Sequence, residues 1–174
     1  MLVVTGLPGT GKSTAANAAA GLLGAPVLGH DWALAGLRAV PRAWELVADD
    51  DPSTLRVVGW RVLFSLAEAQ LREGRSVVLD GVAREPEVRA SRELAQRLAT
   101  RPLLVVCTIA DAALHRARIE GRVRAIPNWP ELGWAEVERS RAGWVPPPAP
   151  DLVLDAERPP ERHREALARL LGGG

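Results

Sequence analysis

Gly6-Leu7-Pro8-Gly9-Thr10-Gly11-Lys12-Ser13-Thr14 is the stretch whose reading decides the fold. It fits the spacing G-x-x-x-x-G-K-[ST], in which each residue type has a physical task. Glycines let successive backbone amides turn inward into a nest for phosphate oxygens. A helix opening at Lys12 adds the positive end of its dipole. Lys12 places a point charge on β- and γ-phosphates, and Ser13 offers a hydroxyl to Mg2+. The flanks supply the required context. Leu2–Thr5 reads as a short buried strand, and the alanine-rich run Lys12–Leu23 reads as a helix. The chain carries 21 arginines and one lysine, and that lysine is Lys12. A compact ammonium suits this position better than a planar guanidinium fork.

Outward from this loop, strand-like and helix-like segments alternate. Pro26–Leu28 predicts a second strand, followed by a helix over Trp32–Ala39 that Pro41 stops. Asp49-Asp50-Asp51-Pro52-Ser53 reads as a solvated loop that caps a helix over Thr54–Glu73. Ser76–Leu79 is a third strand with Asp80-Gly81 at its end. Pro86–Ala99 is a charged amphipathic helix, Leu103–Ile109 a fourth strand, and Asp111–Glu120 a helix with Asp111 as its cap. The segment 122–150, rich in Arg, Trp and Pro, breaks the pattern. Asp151–Asp155 is a fifth strand, Pro160–Leu171 a last helix, and Gly172–Gly174 a frayed tail. Near-continuous apolar strands alternating with helices predict one α/β domain over 1–174, with a parallel sheet covered on both faces. Such sheets bind ligands beyond the carboxyl ends of their strands. Gly6, Asp31, Asp80 and Asp111 all fall there.

Asp31 follows the second strand, where a carboxylate can orient an attacking hydroxyl or take its proton. It can equally cap the helix that starts at Trp32. Asp80, closing an apolar strand, suits Mg2+ held directly or through water. Arg84 and Trp32 are candidates for contact with an acceptor molecule. Arg116, Arg118, Arg122 and Arg124 crowd one short region, and phosphoryl transfer builds negative charge that arginines stabilise. Arg118 and Arg122, at i and i+4, share a face of one helix. Trp129, Trp134 and Trp144 lie in the 122–150 segment. They either stack on a base or an acceptor ring, or anchor an irregular segment onto the domain. Trp44 and Trp60 read as packing residues.

The motif Gly6–Thr14, with Asp31, Asp80 and the Arg118-x-x-x-Arg122 spacing, resembles the small P-loop kinases related to adenylate kinase, gluconate kinase and the zeta toxins. In order and length the chain is most similar to the chloramphenicol phosphotransferase family of antibiotic-modifying kinases. The resemblance implies a P-loop NTPase three-layer αβα sandwich of five parallel strands in the order 2-3-1-4-5, with 122–150 as a short lid. It implies ATP as phosphoryl donor, with GTP as the alternative, and Mg2+ as the metal. It assigns Gly6, Pro8, Gly9, Thr10, Gly11, Lys12, Ser13, Thr14 and Arg118 to nucleotide binding. Ser13 and Asp80 would hold the metal, and Asp31, Lys12, Arg118 and Arg122 would carry the chemistry. The acceptor would be a small-molecule hydroxyl, with an antibiotic among the candidates.

Bulk properties exclude several classes. A net charge of +1 gives no support to a nucleic-acid surface, although the clustered arginines keep a kinase of nucleic-acid ends as an alternative. A non-catalytic nucleotide-binding module is the other alternative. No Asn-Lys-x-Asp motif exists for guanine, since there is no second lysine. Asp80 lacks the following Glu of motor-type ATPases. His30, His115 and His163 have no zinc spacing. No apolar stretch reaches the roughly 20 residues of a membrane span. Cys107, the single cysteine, lies in an apolar run and reads as a buried structural thiol. The N-terminus shows no signal-peptide pattern, so a cytoplasmic location is expected.

Overall fold

A computed structural model describes residues 1–48 and 52–173. Five strands form one all-parallel sheet: β1 (Leu2–Thr5), β2 (Val27–Gly29), β3 (Val78–Asp80), β4 (Leu103–Thr108) and β5 (Leu152–Asp155). Their spatial order is β2-β3-β1-β4-β5. The central strand β1 pairs with β3 through Leu2↔Val78 and Val4↔Asp80, and with β4 through Leu2↔Leu103 and Thr5↔Val106. The helices are α1 (Lys12–Leu23), α2 (His30–Arg38), α3 (Pro41–Val47), α4 (Pro52–Arg72), α5 (Glu85–Arg97), α6 (Ala112–Glu120), α7 (Trp134–Ala142) and α8 (Pro160–Gly172).

Alternation along each strand feeds two cores. On one face Val3, Leu79, Leu104 and Val106 meet Trp60, Leu63 and Ala67 of α4 and Leu94 and Ala95 of α5. On the other, Leu2, Val4, Val78, Val105 and Cys107 meet Ala15, Ala16, Ala19 and Ala20 of α1 and Leu167 of α8. Small alanines bring α1 close to the sheet and so seat the loop before it against the end of β1. Burial pushes the Cys107 thiol up to about 12, as expected of a structural cysteine. Thr5 closes β1 from within. Its buried hydroxyl donates to the Ala83 carbonyl at 3.1 Å and accepts from the Ala83 amide at 2.8 Å. This fixes the β3–α5 connection, with Gly81 and Arg84, beside the phosphate loop.

The structure departs from the sequence reading at several places. Pro41 does not merely end the preceding helix. It starts α3 at a first-turn position, where a missing amide costs nothing. Helix α2 begins at His30, so Gly29 is its cap and Asp31 lies within the first turn. The cap role weighed for Asp31 is therefore ruled out. Helix α6 ends at Gly121, whose amide bonds back to the Ala117 carbonyl at 2.9 Å, so Arg122 lies beyond the helix and shares no face with Arg118. The 122–150 segment holds a regular helix, α7, entered at Gly133, whose amide is bonded by the Glu136 side chain. Gly172 closes α8 rather than fraying from it. Asp111 caps α6 as expected, accepting from the amides of Ala113 and Leu114 at 2.8 and 3.0 Å. The loop reading of Asp49–Asp51 falls outside the described residues.

Candidate active site

The loop between β1 and α1 wraps around its own lysine. Lys12 Nζ donates to the Leu7 carbonyl at 3.2 Å, and Thr10 Oγ1 to the same oxygen at 2.8 Å. Two glycines are required by the backbone. Gly6 has φ +149°, and a Cβ there would drive into the Cys107 carbonyl of β4. Gly9 has φ +85°, and a Cβ there would meet Ile119 Cδ1 at 2.8 Å and the His115 ring at 3.0 Å. His115 is almost fully buried. Its Nε2 lies 2.6 Å from the Pro8 carbonyl and, facing an acceptor, must donate. Burial lowers the His115 pKa despite that bond, so the ring is neutral at pH 7.

Two clefts open on either side of Lys12 and Ser13. The first, about 370 Å³, is lined by Gly9, Gly11, Thr14, Arg118, Arg158 and His163, and it follows the phosphate loop outward. The second, about 460 Å³, is lined by His30, Asp31, Trp32, Arg56, Asp80 and Arg84. Four residues line both clefts: Lys12, Ser13, Arg122 and Arg124. Pro8 lies at the edge of the second cleft and Gly6 at the base of the loop.

Asp80 reaches this junction because the register sets it opposite both Val4 and Gly29. Its Oδ2 accepts from the Ser13 hydroxyl at 2.6 Å. Its Oδ1 is buried and has no protein partner. Burial pushes its pKa up, with Lys12 and the Ser13 bond acting against that shift. Asp31, two residues past β2, behaves in the opposite way. Burial alone would raise it, but His30, Arg124 and Lys12 together hold it down to about 2. Asp31 is thus an ionised carboxylate at neutral pH.

The arginines divide unlike the sequence reading. Arg116 pairs with Glu120 at 2.7 Å on the exposed surface. Arg118 donates to the Ala156 carbonyl at 2.7 Å and lines only the first cleft. Arg122 lines both clefts, and its Nε and one Nη are buried with no partner. Burial and the neighbouring Arg124 lower its pKa. Arg124, which the spacing passes over in favour of Arg118 and Arg122, is the arginine that pairs with Asp31. Glu131 at 3.2 Å and the Pro130 carbonyl hold its other nitrogens. Arg56 and His30 were also missed. His30 Nε2 donates to the Arg56 carbonyl at 3.1 Å, and the Arg56 guanidinium pairs with Glu87.

The tryptophans of the 122–150 segment anchor it. Trp129 packs edge-on against Trp44, Trp134 edge-on against His115 at 5.2 Å, and Trp144 against the core on the α4–α5 face. None of the three lines either cleft. Trp32 is 58% exposed and lines the second cleft.

Among solved structures, the chain is similar to a gluconokinase from Sinorhizobium meliloti 1021 (18% identity, TM-score 0.69, covering 98% of this chain and 91% of that one). It is similar to the APS kinase of Mycobacterium tuberculosis in complex with AMPPNP and APS (21%, 0.68, 98% and 96%). It is also similar to a sugar kinase from Janibacter sp. HTCC2649 (21%, 0.66, 98% and 93%). At these identities the likeness establishes the fold, that of the P-loop kinases. No curated protein matches the sequence. A family model does match, over residues 1–147, which takes in the phosphate loop, both candidate aspartates and α7. The chain belongs to the AAA domain family.

Proposed function

We propose that this protein is an ATP-dependent phosphotransferase that phosphorylates a hydroxyl group of a small molecule. The carrying observation is the pair of clefts that meet at Lys12, Ser13, Arg122 and Arg124, with Asp31 on one side only. A simple nucleotide-binding module needs one cleft, whereas a transferase needs a donor side, an acceptor side and charge at their junction. The kinases of the same fold add support of a general kind.

The chain's own groups divide the work. Amides of the Gly6–Thr14 loop and the α1 N-terminus cradle the donor phosphates. Lys12 and Arg122 concentrate positive charge where charge develops on the transferring group. Asp31 orients the acceptor hydroxyl and receives its proton as the new O–P bond forms and the bond from the γ-phosphorus to the bridging oxygen of ATP breaks, with ADP leaving. Its low basicity makes orientation the larger part of that role. Mg2+ fits the site, because Asp80 keeps one buried oxygen without a protein partner and the other beside the Ser13 hydroxyl. Ser13 and Asp80 would hold the ion, which supplies neutralising charge to the phosphates.

The test is a mass-spectrometric screen of purified protein with Mg2+ and ATP, or GTP, against hydroxyl-bearing metabolites and antibiotics. Antibiotics enter the panel on the sequence resemblance alone. A mass gain of one phosphoryl group on an acceptor supports the reading. Tight ATP binding with no phosphorylated acceptor would favour a non-catalytic module instead.

A further inference from the structure

The acceptor cleft is more cationic than its own carboxylates can balance. Lys12, Arg56, Arg84, Arg122 and Arg124 line it against Asp31 and Asp80. Two of these cations have carboxylate partners. Arg124 pairs with Asp31 and Glu131, and Arg56 with Glu87. Lys12 and Arg122 also line the donor cleft. Arg84 differs: it lines only the acceptor side. One of its Nη atoms donates to the Gly143 carbonyl at 3.1 Å, while its Nε is buried with no partner. No carboxylate pairs with it among the described residues. Of the two acids that follow it in sequence, Glu87 is already engaged by Arg56 and by the Arg84 backbone amide at 2.9 Å. Glu85 is exposed and lies beside Arg89 at 3.7 Å.

A guanidinium stays charged at every working pH, and a half-buried one with an unmet N–H carries a desolvation cost. A ligand anion removes that cost by accepting from the planar fork. Arg84 also stands at the N-cap of α5, a 13-residue helix whose positive end favours negative charge. The Glu87 side chain fixes that turn, so the guanidinium projects from a rigid base rather than from a mobile loop.

From this geometry we infer that the acceptor carries an anionic group, a carboxylate or a phosphate ester, which Arg84 binds while the reacting hydroxyl lies at Asp31. This rests on the phosphotransferase reading and narrows its substrate class.

The experiment compares matched acceptors that differ in the anion: glycerate against glycerol, gluconate against sorbitol, and ribose 5-phosphate against ribose. Donor-side contributions are held constant with saturating Mg2+ and ATP for turnover, or a non-hydrolysable ATP analogue for calorimetry. At least one anionic member is expected to have kcat/KM at least tenfold above its neutral partner. Arg84→Gln is expected to cut that ratio at least tenfold, and Arg84→Lys to restore part of it. The first two arms separate carboxylates from the phosphate ester. Equal use of charged and neutral members, with a ratio that Arg84→Gln leaves alone, would overturn the inference while sparing the kinase reading. If nothing is phosphorylated but an anionic member binds by calorimetry and Arg84→Gln abolishes that binding, the anion site at Arg84 stands while the kinase reading, and with it the acceptor role, is overturned. Melting temperature monitors the folding of each variant.

Discussion

On one side of Lys12 the first cleft is walled by five residues of one short stretch, Gly9 and Gly11 to Thr14, together with Arg118 and Arg158. On the other side the second cleft draws on the end of β2, the first turns of α4, the β3–α5 turn and the segment after α6. The first is a local structure, dictated by glycine conformations and one helix start. The second exists only once the sheet order has brought distant segments together. A local site is rigid by construction. A dispersed one needs ion pairs to hold it, and the acceptor side has them in Arg124–Asp31, Arg124–Glu131 and Arg56–Glu87.

If the two sides divide donor from acceptor, variants on each should fail differently. The largest effect is expected from Asp31→Asn, which keeps the side-chain shape and removes the charge. Transfer should fall by about 10³ in kcat, within the span of lost general-base and positioning groups, while ATP affinity by calorimetry stays within about threefold of wild type. Equal loss of both would break the division. Lys12→Ala comes next and should act on the shared wall. A loss of about 10²–10³ in turnover should accompany weaker ATP binding, whatever the acceptor. Unchanged ATP affinity in that variant would remove the loop from the site.

How much of this was legible in sequence follows the same divide. The loop Gly6–Thr14 could be read outright, because its residue types and spacing dictate its conformation between β1 and α1. The strand order was available only through resemblance, and it matches the sheet. Asp31 and Asp80 were found because strand ends are recognisable from apolar runs. The helix face expected for Arg118 and Arg122 was misread because an i, i+4 spacing was carried past Gly121, where α6 stops. The glycine itself was the available signal. Arg124 had no local signature, since its partner Asp31 is 93 residues away. Arg56 was hidden likewise, inside a helix whose pattern reports only burial. The helix α7 was overlooked although Gly133 with Glu136 three residues on is an entry signal.

Arg124→Gln tests the tie that holds the dispersed side. Losing a charge-assisted bond of roughly 1.5 kcal/mol corresponds to about a tenfold fall in kcat/KM. The same change has a titration signature. Arg124 is one of the groups holding Asp31 down to about 2, so in wild type the carboxylate stays ionised until acid pH. Because the folded value is depressed, this pairing contributes stability above the ordinary carboxylate range and loses it as pH falls through about 2. In the variant the Asp31 midpoint should rise, read by carbon-13 NMR of the side-chain carboxyl in metal-free protein. An unmoved midpoint would show that the pair is not made in solution.

The smallest effect is expected where the local site is braced from outside. His115 donates to the Pro8 carbonyl, fills the space beside Gly9 and receives the edge of Trp134 from α7. It touches no part of the acceptor cleft. His115→Phe keeps a flat ring in place and leaves that carbonyl without its donor, at a cost of about 1–2 kcal/mol. For a chain of this size that lowers Tm by roughly 2–8 °C. KM for ATP should rise about threefold, equivalent to less than 1 kcal/mol, with KM for the acceptor unmoved. Burial depresses the histidine pKa, so its stabilising effect is full above the unfolded value and fades as pH falls through it, near 6.5. The gap in Tm between wild type and variant should therefore narrow between pH 7.5 and pH 5.5. A gap that widens on acidification would mean that His115 is charged in the fold and that the loop is held by an ion, not by a neutral hydrogen bond.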